Sequence, residues 1–424
     1  MMHIKKGKHK AFIALGDERN TDLQRSGNQY AWWKPAASAV LCALLLTACG
    51  GDDDSNGIAY TDKTKPYAID AEVSAVVNTH DVFNYKMPSV NNRQISTSAL
   101  VFTPKGTAPT GGWPVVVWAH GTTGAADQCA PSRNPLFDEE KALIMALVKK
   151  GYAVIAPDYE GLGNNAEPHP YLNLKSAAQS ILFALSEANQ HYKNLSKEWS
   201  VVGWSQGGHA ALGAAEFSTA LVGYTFKGTV AIAPASNLAD TLQLGLGVAN
   251  GYAANGDLAK AVPIASTLYT YAAIVSSGIK AGNNQFQYTQ SFVPEKVNIA
   301  SLAETLCSPE LGVKFGSDIQ TWLGGKQSFA TYKALQDNFI KDPMIAAYLS
   351  DNEPAQTPLN KKVYIFQGSA DTTVPLPITQ KLVGEMQLEK TDVELIVKPN
   401  ETHSSAMGNH IDEIVGKVDG LMKS

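Results

Sequence analysis

Several short stretches of the chain are apolar almost without interruption, and they recur at regular intervals. WPVVVWAHG (Trp113 to Gly121), YAVIAPDY (Tyr152 to Tyr159), WSVVGWS (Trp199 to Ser205) and GTVAIAPAS (Gly228 to Ser236) each have the length of a strand covered on both faces. Between them run segments with helical spacing: Phe137 to Lys150, Tyr171 to Gln190, and QGGHAALGAAEF from Gln206 to Phe217. RQISTSALVFTP (Arg93 to Pro104) alternates instead, as a half-buried strand does. Strand and helix in alternation predict a mostly parallel, doubly wound α/β sheet.

The alternation stops after Ser236 and resumes with KKVYIFQGSAD (Lys361 to Asp371), the helix LPITQKLVGEMQ, the strand DVELIVKP and a terminal helix from Asn409. The intervening stretch, 237–359, contains the helical patches ADTLQLGLGVANGY, IASTLYTYAAIVSSG and KQSFATYKALQDNFI, with no buried strand. A structureless loop of that length is implausible inside a domain, so it reads as a helical cap inserted between two strands of one sheet. The core then divides into 61–236 and 360–424.

The first sixty residues read differently. Scattered basic residues precede PAASAVLCALLLTACG, an apolar run too short to span a bilayer and ending in small residues, as a signal peptide does. Leu46-Thr47-Ala48-Cys49 resembles the lipobox of bacterial lipoproteins, which makes 1–48 a signal peptide and Cys49 a lipidated first residue. GGDDDSNG then reads as a flexible tether across 49–60. An exported lipoprotein at the cell envelope is the expectation; the alternative is cleavage after Ala48 and secretion. With Cys42 removed and Cys49 lipidated, Cys129 and Cys307 remain, and a disulfide between them is expected, two separate buried thiols being the other possibility.

With 44% hydrophobic and 17% charged residues and a formal charge of -5, the composition is that of a globular protein without a basic face for nucleic acid. A monomer is expected. No His, Cys, Asp or Glu cluster has metal-ligand spacing, and no cofactor is implied.

The chemistry is sought at the carboxyl ends of the strands, where ligands bind in open α/β sheets. Ser205, in Gly203-Trp204-Ser205-Gln206-Gly207, stands at one such end, at a strand-to-helix turn that exposes its hydroxyl. A serine nucleophile needs a base, and the base an acid to fix its tautomer. Of nine histidines, His403 sits in the loop after the last strand, where an opposing base is expected; His410 ranks second. Asp371 follows a buried strand and is the candidate acid, with an Asx turn or helix cap as its ordinary use and Asp158 as the fallback. The order Ser205, Asp371, His403 is that of α/β-hydrolases.

AHGTTGAADQCAPS, APDYEGLG, GWSQGGHAALGAA, GSADTTVP and THSS together resemble the secretory lipase family of α/β-hydrolases, over most of the chain after the tether. The resemblance implies an α/β-hydrolase fold with an inserted cap, lipase or esterase activity on lipid or acyl esters, and an oxyanion hole formed by the backbone N–H groups of Thr122 and Gln206. It leaves open a peptidase, a feruloyl-type or polyester esterase, and a catalytically silent binding protein.

Overall fold

A computed structural model describes residues 64–163 and 167–424. The expected signal peptide, the expected lipidation site Cys49 and the expected tether lie outside the described residues. Among the described residues, nine strands form one sheet in the order β1-β2-β3-β5-β4-β6-β7-β8-β9. They are β1 (Thr64–Pro66), β2 (Val77–Pro88), β3 (Gln94–Pro104), β4 (Trp113–Ala119), β5 (Ala153–Pro157), β6 (Leu195–Trp204), β7 (Thr225–Ile232), β8 (Val363–Gly368) and β9 (Val393–Lys398). β1, β2 and β3 pair antiparallel at one edge, and every pairing from β5 to β9 is parallel. The four central apolar runs are therefore neighbours, as their two-sided burial requires.

Alternate residues of each run feed opposite cores. Val115, Val117, Val201 and Ile365 pack with helices Leu174–His191 and Gln206–Glu216. Val116, Val154, Val202 and Phe366 pack with Asp138–Lys149 and Ile411–Lys423 on the other face. Each such side chain, fully buried, stabilises the fold by about 1.5–3 kcal/mol before entropy is counted.

Between β7 and β8 lie helices Leu238–Ala254, Leu258–Gly282, Pro294–Ala300, Ser308–Gly324 and Pro343–Asp351. They bury a core of their own around Ala265, Tyr269, Phe292, Phe315 and Ile319. One expectation fails here: KQSFATYKALQDNFI forms only the short 3-10 turns Phe329–Thr331 and Phe339–Lys341. Its aromatic residues are held by packing into the insertion instead, Phe329 and Tyr332 being core members, so tertiary contact overrides local helical preference. The helix Ser308–Gly324 and the long strand β2 are features that the sequence pattern alone did not resolve.

Cys129 and Cys307 are joined by a disulfide across 178 residues of sequence. It ties the loop after β4 to the residue that opens the helix Ser308–Gly324, beside the hydrogen bond from Ser308 N–H to Thr123 C=O (2.8 Å). Closing so long a loop restricts the unfolded chain, an effect worth at most about 5 kcal/mol. Replacing both cysteines by alanine is expected to lower the denaturant midpoint markedly. An unchanged midpoint, measured by guanidinium unfolding, would contradict this role.

Candidate active site

Ser205 sits between β6 and the helix Gln206–Glu216 with φ 57° and ψ -115°, a strained backbone for a residue bearing a side chain. Its neighbours explain how the turn closes. A Cβ on Gly203 would stand 1.9 Å from the Gly207 carbonyl oxygen, and one on Gly207 would stand 1.8 Å from that of Ala119. Only glycine fits at either position, so the five-residue motif is here a steric requirement. Ser205 is buried and faces an apolar cavity of ≈ 80 Å³, lined from the insertion by Leu242, Leu268, Val275 and Phe339 and from the core by Thr373 and Val374.

Asp371 and His403 are brought together. The His403 Nδ1 lies 2.7 Å from Asp371 Oδ2, which also accepts from Gln367 Nε2–H at 3.0 Å. Oδ1 accepts from the N–H groups of Thr373 (2.8 Å) and Val374 (2.9 Å), an Asx turn. The ordinary structural use of the aspartate and its pairing with histidine are thus both present, one on each oxygen. A carboxylate that already accepts these donors leaves Nδ1 of His403 as the protonated nitrogen and Nε2 as the basic one. That Nε2 is buried with no hydrogen-bond partner among the described residues. Ser205 and His403 are therefore not hydrogen-bonded here. Their elements nonetheless meet through Trp204, which precedes Ser205, donates Nε1–H to His403 C=O (3.0 Å) and packs its ring 5.2 Å from the imidazole.

The alternatives fall elsewhere. Asp158 is wholly buried, accepts from Ser98 Oγ–H (2.6 Å) and Ser132 N–H (2.9 Å), and is pushed up to about 6 by burial. Among the described residues its carboxylate bonds Ser98 and Ser132 and pairs with no histidine ring. His410 opens the terminal helix and faces Glu401 and Glu413. His120, His169 and His209 are buried and held down to about 4 by desolvation, so all three stay neutral from pH 5 to 8.

Thr122 lies in the loop after β4, and Gln206 directly follows Ser205. Gln206 is the first residue of the helix after Ser205, where backbone N–H groups have no partner within the helix. The loop after β4 packs against the elbow, since a Cβ on Gly121 would stand 2.7 Å from the Trp204 ring. Sequence reasoning missed the loop His169–Tyr171, whose side chains reach both residues: His169 Nε2 lies 3.1 Å from Gln206 Nε2, and Tyr171 Oη 2.8 Å from Thr122 Oγ1. The only sequence signal is two rings in PHPYL, a loop between a strand and a helix.

A model of the alpha/beta hydrolase family matches residues 116–416, and the chain belongs to that family. Lipase A of Candida antarctica in its closed state superposes with a TM-score of 0.64 at 16% identity, covering 85% of this chain and 81% of that one. The rice cell wall degrading esterase LipA of Xanthomonas oryzae, in a ligand-bound form, gives 0.60 at 19% identity, covering 81% and 90%. At these identities the likeness is one of fold. A poly(3-hydroxyoctanoate) depolymerase of Pseudomonas fluorescens is 30% identical over 121 residues, 28% of this chain and 41% of that protein. The match thus spans about two fifths of the relative's length.

Proposed function

We propose that the protein is a serine carboxylic-ester hydrolase acting by acyl transfer. The carrying observation is a strained, glycine-flanked Ser205 after β6 and the hydrogen-bonded Asp371–His403 pair after β8 and β9, all at carboxyl ends of one sheet and linked by the Trp204–His403 contact. Ser205 attacks the ester carbonyl while His403 Nε2 takes its proton, Asp371 supports the imidazolium, and the N–H groups of Thr122 and Gln206 receive the developing oxyanion. The protonated His403 then gives its proton to the leaving alcohol, and water activated by the same ring releases the acid. Under this reading a lipid on Cys49 holds a monomeric enzyme at the cell-envelope membrane.

The cavity favours simple acyl esters. Its walls are mostly aliphatic and aromatic side chains, which suits an acyl chain, and its ≈ 80 Å³ is small beside the ~300–1,000 Å³ of typical ligand sites. Long chains must displace side chains of the insertion before they fit. On p-nitrophenyl esters from acetyl to palmitoyl, kcat/KM is expected to peak at short or medium chains and to fall toward palmitoyl. A peak at palmitoyl would contradict the closed cavity as the acyl site. Because the matched relative is a polyester depolymerase, oligomers of 3-hydroxyoctanoate belong in the same assay as a second reading.

A further inference from the structure

The loop between β5 and the helix Leu174–His191 carries two side chains that the mechanism above does not use. His169 is buried, and its Nδ1 lies 2.6 Å from the carbonyl oxygen of Glu160. A carbonyl can only accept, so Nδ1 carries the proton and Nε2 offers a lone pair. That lone pair receives the Gln206 side-chain N–H at 3.1 Å. Burial holds the ring neutral, so the arrangement persists across the working pH range. Two residues on, the Tyr171 hydroxyl bonds the Thr122 hydroxyl at 2.8 Å. One short segment therefore touches both residues assigned to the oxyanion hole.

The segment is fixed at both ends. On the core side, a Cβ on Gly161 would stand 2.4 Å from His169 N, so the glycine lets the two backbones meet. The Glu160 carboxylate behind it accepts from Val90 N–H and Ser176 Oγ–H. On the insertion side, Tyr348 donates its hydroxyl to Tyr171 C=O (2.8 Å), and a Cβ on Gly278 would stand 2.7 Å from the same oxygen. Tyr171 and Leu172 are members of the insertion's own hydrophobic core.

We infer that His169–Tyr171 is a brace that sets the two backbone donors of the oxyanion hole, His169 through Gln206 and Tyr171 through Thr122, and that the inserted helices hold it in place. His169 is a positioning residue outside the cavity beside Ser205; Tyr171 lines that cavity, and it is its hydroxyl, bonded to Thr122, that positions. The inference rests on the ester-hydrolase reading. Donors act on the transition state only when already aimed, and a small displacement of such groups costs rate and spares ground-state binding.

The test uses the chain with its insertion intact and compares His169→Phe, His169→Gln and Tyr171→Phe with wild type on p-nitrophenyl butyrate. His169→Phe is expected to lower kcat about 10- to 100-fold, and Tyr171→Phe about 10-fold, with KM little changed. Inhibition by an alkyl boronic acid, whose adduct on serine is tetrahedral, is expected to weaken by the factor that kcat/KM loses. A fatty alcohol should bind as before. Glutamine at 169 can place an acceptor near the old Nε2, so that variant should recover most of the rate. Should His169→Phe fail to fold, Tyr171→Phe, which removes one oxygen, decides alone. Wild-type kcat in the folded phenylalanine variants, or a loss of kcat without loss of boronate affinity, would overturn the brace while leaving the hydrolase intact. A wild type that turns over no ester would overturn both.

Discussion

Replacing Ser205 by alanine is expected to lower kcat for ester hydrolysis about 10⁴- to 10⁶-fold, because the step that forms the acyl-enzyme disappears. The residue change itself is mild. Alanine can occupy the same positive-φ conformation at a cost close to that of serine, and the flanking glycines, which close the turn, are untouched. The thermal midpoint of Ser205→Ala should therefore stay near that of wild type. The oxyanion donors also remain, so weak turnover above the uncatalysed rate is expected to persist. Loss of activity with loss of fold would say little about mechanism; loss with the fold retained assigns the nucleophile. Stopped-assay kinetics beside a thermal melt distinguishes the two.

Asp371→Asn is expected to cost about 10⁴-fold in kcat with the local backbone preserved. The Asx turn needs an acceptor at Oδ1 for the N–H groups of Thr373 and Val374, and asparagine supplies one. Its amide nitrogen must then replace Oδ2, where it meets two donors, His403 Nδ1–H and Gln367 Nε2–H. The imidazole is driven to the other tautomer, with its proton on Nε2 and no lone pair for the serine hydroxyl. Wild-type kcat in Asp371→Asn, or a shift to Asp158 shown by an equal loss in Asp158→Asn without destabilisation, would contradict the pairing. Asp158 is buried against Ser98 and Ser132, so its replacement is expected to act on stability.

Much of this architecture could be read from the chain because burial on both faces leaves a strong local mark. The parallel strands of the centre are continuous apolar runs, and three parallel strands, the half-buried edge strand β9 among them, bring a candidate residue to the carboxyl end by position alone: Ser205 after β6, Asp371 after β8, His403 after β9. The antiparallel edge was harder. β2 mixes Thr79, His80 and Asp81 with apolar positions, so no clean alternation marks it, although the turn from Ser89 to Arg93 folds it directly onto β3. Within the insertion, residues 326–340 have helical spacing yet turn back on themselves, because Phe329 and Tyr332 gain more from packing than a short helix would give.

The supporting contacts were not legible at all. His169 meets Gln206, and Tyr171 meets Thr122, through hydrogen bonds between separate loops, which impose no periodicity on the sequence. The same holds for Gln367, whose Nε2–H reaches Asp371 from a strand position that reads only as a polar interruption of an apolar run. Conversely, the cysteine pair was accessible by elimination, since removing Cys42 and Cys49 from consideration leaves two, and the structure joins them.

The most direct measurement is labelling with a fluorophosphonate followed by peptide mapping. Such probes phosphonylate only a serine whose hydroxyl is activated by a base and whose site accepts a tetrahedral oxyanion, so the reaction reads nucleophile, base and donors together. The expected result is a single modified peptide containing Ser205, with labelling abolished in Ser205→Ala and slowed in Asp371→Asn. Modification at another serine, or none in a protein shown to be folded, would contradict the assignment of Ser205 as the nucleophile of an ester hydrolase.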